Sequence, residues 1–220
     1  MSFKHITEGI KCIEELFFPS VCFLCGNHIS GNQKVVCRTC WFDLPEYGSV
    51  KPDKFLPKIY SNLNILFRFD SNAGQLIHLL KYERRLSLAP YFAQALFRRF
   101  PGLVSGEYHY LSPVPLYKVH QRERGYNQCE LVCRELSSLT GISLNMESLV
   151  RIKNTRSQTN LNRQQRQDNV KNAFVSKNSV RDKKILLLDD VITTGSTLNA
   201  CATALLKAGA GQVDVVVLAG

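Results

Sequence analysis

The sequence lacks several features that would place the protein outside the soluble globular class. No apolar run approaches the roughly 18 to 20 residues that cross a bilayer as a helix, because the longest runs are strand-sized. The N-terminal segment has no continuous apolar core of the kind found in signal peptides, since Glu8, Lys11, Glu14 and Glu15 interrupt it. We find no internal repeat and no long low-complexity segment. We therefore expect a cytoplasmic protein.

Acidic residues are also scarce. The chain has 18 Asp and Glu against 28 Lys and Arg, which gives a net charge of +10. This surplus attracts polyanions such as nucleic acid, phosphorylated metabolites or anionic lipid, and it does not choose among them. With 220 residues, 45% of them hydrophobic, the chain can form one large domain or a medium domain with a small appendage.

Cysteine is plentiful, with eight residues in a chain that shows no export signal, and this combination favours a reducing compartment. Four cysteines form two CxxC pairs separated by eleven residues, a spacing that lets four thiolates converge on one zinc ion. Such a site has no open coordination position, so its role would be structural. A redox dithiol or two disulfides are the alternatives. The predicted zinc ligands are Cys22, Cys25, Cys37 and Cys40.

The pattern along the chain predicts two parts. Residues 1–19 have the spacing of a short amphipathic helix that ends at Pro19, and residues 20–50 are turn-rich around the cysteine pairs. Helical patterns follow at 76–85 and 88–100, after a weak strand at 60–69. From Tyr108 onward, strand-like and helix-like segments alternate, including ISLNMESLVRI as a strand-like segment, which predicts parallel strands covered on both faces. The predicted domains are therefore 1–50 and 51–220.

The segment KKILLLDDVITTGSTLNA carries the strongest chemical signal. It reads as a buried parallel strand that ends on Asp189 and Asp190 and then turns into a helix, and ligands of open α/β sheets bind beyond such strand ends. Helix N-termini favour phosphate, whereas carboxylates repel it and accept hydrogen bonds from sugar hydroxyls. A sugar phosphate fits both the two acids and the hydroxyl-rich turn. The alternative is an ordinary strand followed by a capped helix with no ligand. The predicted phosphate cup consists of Thr193, Thr194, Gly195, Ser196 and Thr197.

LLLDDVITTGSTL resembles the signature of type I phosphoribosyltransferases. This resemblance implies that 5-phosphoribosyl 1-pyrophosphate binds with Mg²⁺, with the acids on the ribose hydroxyls and the following loop on the 5-phosphate. Together with PVPLYKVHQRERGYNQ, RIKNTRSQTNLNRQQRQDNVKNAF and the CxxC pairs, the chain resembles the ComF family of competence-associated proteins from about residue 12 to residue 220. The implied fold is an α/β type I phosphoribosyltransferase domain, with a hood at about 51–105 and a core at about 106–220, plus a four-cysteine zinc finger.

The segment SPVPLYKVHQRERGYNQ supplies cations where a pyrophosphate would leave. Lys118, Arg122 and Arg124 follow the first core strand on a predicted loop, and arginine suits bidentate phosphate binding. A solvated basic loop is the alternative. The resemblance implies that residues 117–125 are a mobile catalytic loop in which Arg122 and Arg124 act beside Asp189 and Asp190. It implies that the pyrophosphate loop comprises Pro113, Val114, Pro115 and Leu116.

A basic stretch runs from residue 151 to residue 184, where only Asp168 and Asp182 oppose ten cations. It is rich in Asn and Gln, which can contact phosphates and base edges, so single-stranded nucleic acid could follow it. A solvated face, or a share in the ribosyl pocket for Arg151 and Arg166, are the alternatives. The candidate nucleic-acid contacts are Arg151, Arg156, Arg163 and Arg166.

Three functions remain open on these residues. The first is a magnesium-dependent phosphoribosyltransferase acting in competence on incoming single-stranded DNA, and the second is a non-catalytic nucleic-acid-binding accessory factor. A phosphoribosyltransferase of nucleotide salvage is the third. The ComF resemblance also implies a competence helicase as a partner, and it places Lys81 and Tyr82 in the hood over the active site.

Overall fold

The computed structural model describes residues 20–29, 35–50, 59–103, 108–154, 165 and 169–220. The chain divides into two compact units, 1–44 and 45–220. The helix predicted over residues 1–19 lies outside the described residues. Glu46–Val50, which the predicted boundary assigns to the N-terminal part, forms an edge strand of the second unit.

The described part of the first unit is built around its cysteines. Val21 and His28 form an antiparallel bridge, and between them Gly26 donates its N–H to the Cys22 carbonyl at 2.8 Å. Gly26 has φ of 73°, a left-handed conformation that glycine adopts without a steric penalty. A short helix, α1, follows at Arg38–Phe42. This small unit therefore presents one cysteine pair on a tight turn and the other at a helix start.

The second unit is a five-stranded sheet with a separate two-stranded ribbon. The sheet order is β1-β2-β7-β6-β3; all its neighbouring pairs are parallel except β1 with β2, and β4 pairs with β5 in the ribbon. Parallel pairing brings the carboxyl ends of β2, β7, β6 and β3 to one edge of the sheet. The strands are β1 Glu46–Val50, β2 Leu63–Phe67, β3 Tyr110–Pro113, β4 Val150–Arg151, β5 Phe174–Val175, β6 Lys184–Val191 and β7 Gln212–Ala219.

Helices cover both faces of this sheet, because the central strands are apolar on both sides. Ile185 and Leu187 of β6 pack in one cluster with Leu198 and Leu205, whereas Leu186, at the alternate position, is equally buried. The sequence prediction of a parallel α/β sheet is thereby confirmed. The helices are α2 Ser71–Tyr82, α3 Leu88–Arg99, a 3-10 turn at Pro101–Leu103, α4 Lys118–Arg124, α5 Gln128–Thr140 and α6 Ser196–Lys207.

Side-chain caps set the helix starts. The Asp70 carboxylate accepts the N–H of Ala73 at 2.7 Å, so α2 begins five residues before the apolar periodicity that predicted it. Asn127 caps α5 by accepting the N–H of Cys129 at 3.0 Å, and Gly141 ends that helix with φ of 76°. These caps orient α2 and α5 toward the strand ends.

Two local predictions are wrong. Residues 117–125 were expected to form a loop, but α4 occupies 118–124 and ends at Gly125, whose φ of 81° supplies a left-handed C-cap. The strand-like segment ISLNMESLVRI is broken, because the Asn145 side chain accepts the N–H groups of Glu147 and Ser148 and closes a turn. Only a bridge at Leu144 and the short β4 remain of it.

Within the described part of the chain, we find no helix with the length and apolarity needed to cross a membrane.

Candidate functional site

The predicted acids and phosphate cup lie together at the carboxyl end of β6. Asp189 and Asp190 are 9% and 6% exposed, and the strand leads through residues 192–194 into α6. Gly195 has φ of 74°, which turns the chain sharply at the helix start. The Thr194 and Ser196 hydroxyls lie 2.8 Å apart. A concave surface results, lined by Asp189, Val191, Ile192, Thr193, Thr194, Gly195, Ser196, Thr197 and Leu198.

Asp190 is held by two side chains from different helices. The Lys81 ammonium of α2 lies 2.9 Å from its Oδ2, and the Gln128 amide of α5 donates to the same oxygen. Burial acts to lower the pKa of Lys81, but attraction to Asp190 outweighs it and the pKa is raised. Asp190 therefore has a charged partner, which a buried carboxylate requires.

Asp189 has weaker partners. Its Oδ1 accepts the N–H of Asp190 at 2.9 Å and the thiol of Cys129 at 3.7 Å. Burial, and then the charge of Asp190, raise the pKa of Asp189 to about 7. Burial and the same two carboxylates raise the pKa of Cys129 well above its usual value, so that residue is a neutral thiol donor. The two adjacent acids are thus electrostatically unequal.

The predicted pyrophosphate loop follows β3, next to the end of β6. Val114 donates its N–H to the Leu188 carbonyl at 2.8 Å and accepts from the Asn127 amide at 3.0 Å. Pro113 and Val114 are buried, whereas Pro115 and Leu116 are partly exposed. The loop is therefore fixed to the same edge of the sheet as the acids.

The predicted arginines differ in their placement. Arg124 donates to the side-chain Oε1 of Gln128, and its guanidinium lies 4.9 Å from the centre of the Tyr82 ring. Arg122 is exposed on the same helix, α4. The structure thus joins Arg124, through Gln128, to the side chains around Asp190.

Arg151 lies partly buried at the start of the basic stretch. Its guanidinium lies 5.5 Å from the centre of the Phe174 ring, and burial lowers its pKa, while attraction from Cys201 and Asp189 opposes the change. Arg156, Arg163 and Arg166 lie outside the described residues. Arg151 is therefore close enough to Asp189 for the two charges to attract each other.

The four N-terminal cysteines converge. Their sulfur atoms all lie within 4.8 Å of one another, and Cys25 and Cys37 are 3.8 Å apart, too far for a disulfide and close to the edge of a tetrahedron with zinc–sulfur bonds of about 2.3 Å. The Cys22 and Cys37 sulfurs accept the N–H groups of Cys37 and Cys40. The donor set therefore fits a structural metal such as zinc.

Comparisons with known proteins agree with this geometry. Residues 131–220 match the family model described as phosphoribosyl transferase domain. A DNA utilization protein YhgH from Salmonella typhimurium is 28% identical over 91% of this chain and 96% of its own length. Competence protein F from Haemophilus influenzae is 45% identical over 47% of this chain and 46% of its own length. The chain is therefore similar to competence and DNA utilization proteins, as the ComF resemblance predicts, and it contains a phosphoribosyltransferase domain.

Among solved structures, a glutamine phosphoribosylpyrophosphate amidotransferase from B. subtilis aligns with 64% of this chain and 30% of its own, at 18% identity and a TM-score of 0.44. The sequence prediction of the family and of a phosphoribosyltransferase domain is confirmed by the family model and the relatives.

Two residues of this site have contacts that the sequence alone does not indicate. Gln128 ends the segment PVPLYKVHQRERGYNQ, and nothing in a single sequence distinguishes it from any polar residue at a helix start. Lys81 was placed in the hood by resemblance alone, and its partner became visible only when α2 was packed beside β6. Asn127 did carry a usable signal, because asparagine before a helical pattern predicts an N-cap.

The cysteine cluster predicts a defined metal content. We expect the purified protein to carry about one zinc ion per chain, and Cys25→Ser and Cys40→Ser to lose it because a hydroxyl is a poor replacement for a thiolate ligand. Mass spectrometry of metals measures the stoichiometry. Cys133→Ala, which removes a buried cysteine outside the cluster, is the control. Full zinc retention in both serine variants would contradict the assignment.

The raised pKa of Asp189 predicts a pH-dependent gain in stability from Asp189→Asn. The folded carboxyl resists ionisation, so the wild type loses stability as pH rises from about 4 to about 7, and the amide avoids this loss. The advantage of the variant in unfolding free energy should grow by about 2 kcal/mol between pH 5 and pH 8. Denaturant titrations at the two pH values measure it.

Asp182→Asn is the control for this substitution, since Asp182 is exposed at the opposite end of β6. An advantage of Asp189→Asn that stayed constant between the two pH values would show that ionisation of Asp189 is not what costs stability.

Proposed function

We propose that this chain binds 5-phosphoribosyl 1-pyrophosphate with Mg²⁺ and acts on incoming single-stranded DNA during natural competence. The observation that carries the ligand assignment is the position of two buried acids beside a hydroxyl-lined helix N-terminus at one strand end. Carboxylates accept from sugar diols, and helix N-termini bind phosphate. A ribose 5-phosphate carries a diol and a phosphate on one sugar ring, so it can contact the acids and the helix N-terminus together.

Each part of the site has a distinct task in this proposal. Both contacts of Asp190 with Lys81 and Gln128 are made at Oδ2, so we assign its Oδ1 to a ribose hydroxyl. Asp189 borders the cup and accepts from the second hydroxyl. Thr194, Ser196 and the N–H groups at the start of α6 bind the 5-phosphate.

The pyrophosphate side is built from the loop after β3 and from Arg124. The loop residues 113–116 lie next to the end of β6, and a guanidinium can bind a phosphate with two parallel hydrogen bonds. Mg²⁺ would neutralise charge on the diphosphate as it leaves C1. Transfer would also require a nucleophile at C1, which an acceptor bound beside the hood would supply.

The DNA part of the proposal has separate support. The relatives are named competence protein and DNA utilization protein, and the chain has a net charge of +10 with a basic stretch that begins at Arg151. Positive charge supplies the salt-dependent part of nucleic-acid affinity. The resemblance to competence proteins also makes a competence helicase a candidate partner.

Calorimetric titration with 5-phosphoribosyl 1-pyrophosphate and Mg²⁺ tests the ligand. We expect wild-type protein to bind and Asp190→Asn to bind about ten to a hundred times more weakly, since a hydrogen bond to a charged acceptor is lost. Asp182→Asn, at the other end of β6, should bind as the wild type does. Failure of the wild type to bind would end the ligand assignment.

Salt dependence tests the DNA assignment. The logarithm of affinity for a single-stranded oligonucleotide should fall linearly with the logarithm of salt concentration, and each of Arg163→Ala and Arg166→Ala should reduce the slope by about 0.7. Fluorescence anisotropy at four salt concentrations measures both quantities. Arg98→Ala, an exposed arginine of α3, is the matched control. An affinity that did not change with salt would refute phosphate contacts along the basic stretch.

A further inference from the structure

Gln128 is a buried polar residue to which the proposed chemistry assigns no role. It is the first residue of α5 and is 3% exposed. Its amide is used at both ends, because Nε2 donates to Asp190 Oδ2 and Oε1 accepts from Arg124 Nη1. One neutral side chain thus connects an acid of the candidate ribosyl site with an arginine of the candidate pyrophosphate site.

The amide of Gln128 has a single favourable orientation. Its donor faces a carboxylate and its acceptor faces a guanidinium; the reverse orientation would bring oxygen to the carboxylate and N–H groups to the cation, so both contacts would repel. The backbone at this point is also fixed, since Asn127 bonds both Val114 and Cys129. Gln128 therefore holds its two partners at set positions.

The contacts close into a ring that spans four elements. Arg124 of α4 lies over the ring of Tyr82; the neighbouring Lys81 of α2 pairs with Asp190 of β6, and Gln128 of α5 completes the circuit. We propose that Gln128 is a positioning residue that couples ribosyl binding at Asp190 to pyrophosphate binding at Arg124. This inference rests on the proposed function, and it adds a mechanism by which one site discriminates between two ligands.

The coupling has a physical consequence for ligand choice. A ligand with both a ribosyl diol and a pyrophosphate binds Asp190 and Arg124, the two partners of the Gln128 amide, at the same time. Because Gln128 holds both partners, each ligand contact favours the geometry that the other contact needs. Ribose 5-phosphate engages the Asp190 end only. Loss of Gln128 should therefore lower the affinity for 5-phosphoribosyl 1-pyrophosphate more than the affinity for ribose 5-phosphate.

Calorimetric titration of both ligands in the presence of Mg²⁺ tests this, with Gln128→Met, Arg124→Ala and the double variant. Methionine nearly matches the volume of glutamine and makes neither hydrogen bond. We expect each single substitution to weaken the binding of 5-phosphoribosyl 1-pyrophosphate about tenfold or more. The binding of ribose 5-phosphate should weaken no more than about threefold. The double variant should bind 5-phosphoribosyl 1-pyrophosphate no more than about threefold more weakly than Arg124→Ala, because the effect of Gln128 on the pyrophosphate passes through Arg124 and only its effect at Asp190 remains.

Gln75→Met, at an exposed position of α2, is the control for the substitution itself. Thermal unfolding confirms that each variant is folded before titration. The inference is overturned if Gln128→Met weakens both ligands by the same factor, if it weakens neither, or if the effects of the two single variants multiply in the double variant. Wild-type protein that bound neither ligand would instead overturn the proposed function, and this inference with it.

Discussion

Burying two carboxyl groups side by side costs free energy, and the contacts around Asp189 and Asp190 offset that cost unequally. Asp190 has an ammonium at 2.9 Å and an amide donor, whereas Asp189 accepts from a backbone N–H and a thiol. A single cation can neutralise one of the two charges, so burial and the charge of Asp190 raise the pKa of the second carboxyl. The two acids thus differ, because Asp190 is paired with an ammonium and Asp189 has a raised pKa.

This constraint explains how the surrounding helices are placed. α2 must bring Lys81 to the end of β6, and the Asp70 cap fixes where that helix begins. α5 begins at Gln128, and the side chain of Asn127 sets that start. Its amide nitrogen donates to the Val114 carbonyl, and its amide oxygen accepts the N–H of Cys129. α4 takes part in the same network, since Arg124, the last residue of that helix before its Gly125 cap, contacts Gln128. Polar contacts at one strand end therefore organise three helices.

The sequence was sufficient for features that are local in the chain. The aliphatic run before Asp189, the hydroxyl-rich turn after it and the paired cysteines all predict their own structure, because strand burial, helix capping and CxxC turns act over a few residues. Contacts between residues that are far apart in the chain could not be predicted from the sequence. Lys81 and Gln128 are 109 and 62 positions from Asp190 in the chain, and only packing brings them together. The helix at 118–124 was missed because basic residues near a glycine fit a loop as readily as a short capped helix.

The adjacency of the two acids has a structural meaning of its own. Successive residues of a strand point to opposite faces, so neighbouring aspartates serve different surroundings. Asp189 shares its face with Ile185 and Leu187, which pack against α6, and it borders the cup at the start of that helix, although its Oδ1 also accepts the thiol of Cys129 in α5. Asp190 points toward α2 and α5, where Lys81 and Gln128 contact it. Two acids separated by one residue would both face the same side and leave the other without a carboxylate. A consecutive pair therefore lets one strand end border the cup and contact α2 and α5 at once, with an oxygen of each acid within 4.8 Å of the other and of the Cys129 sulfur.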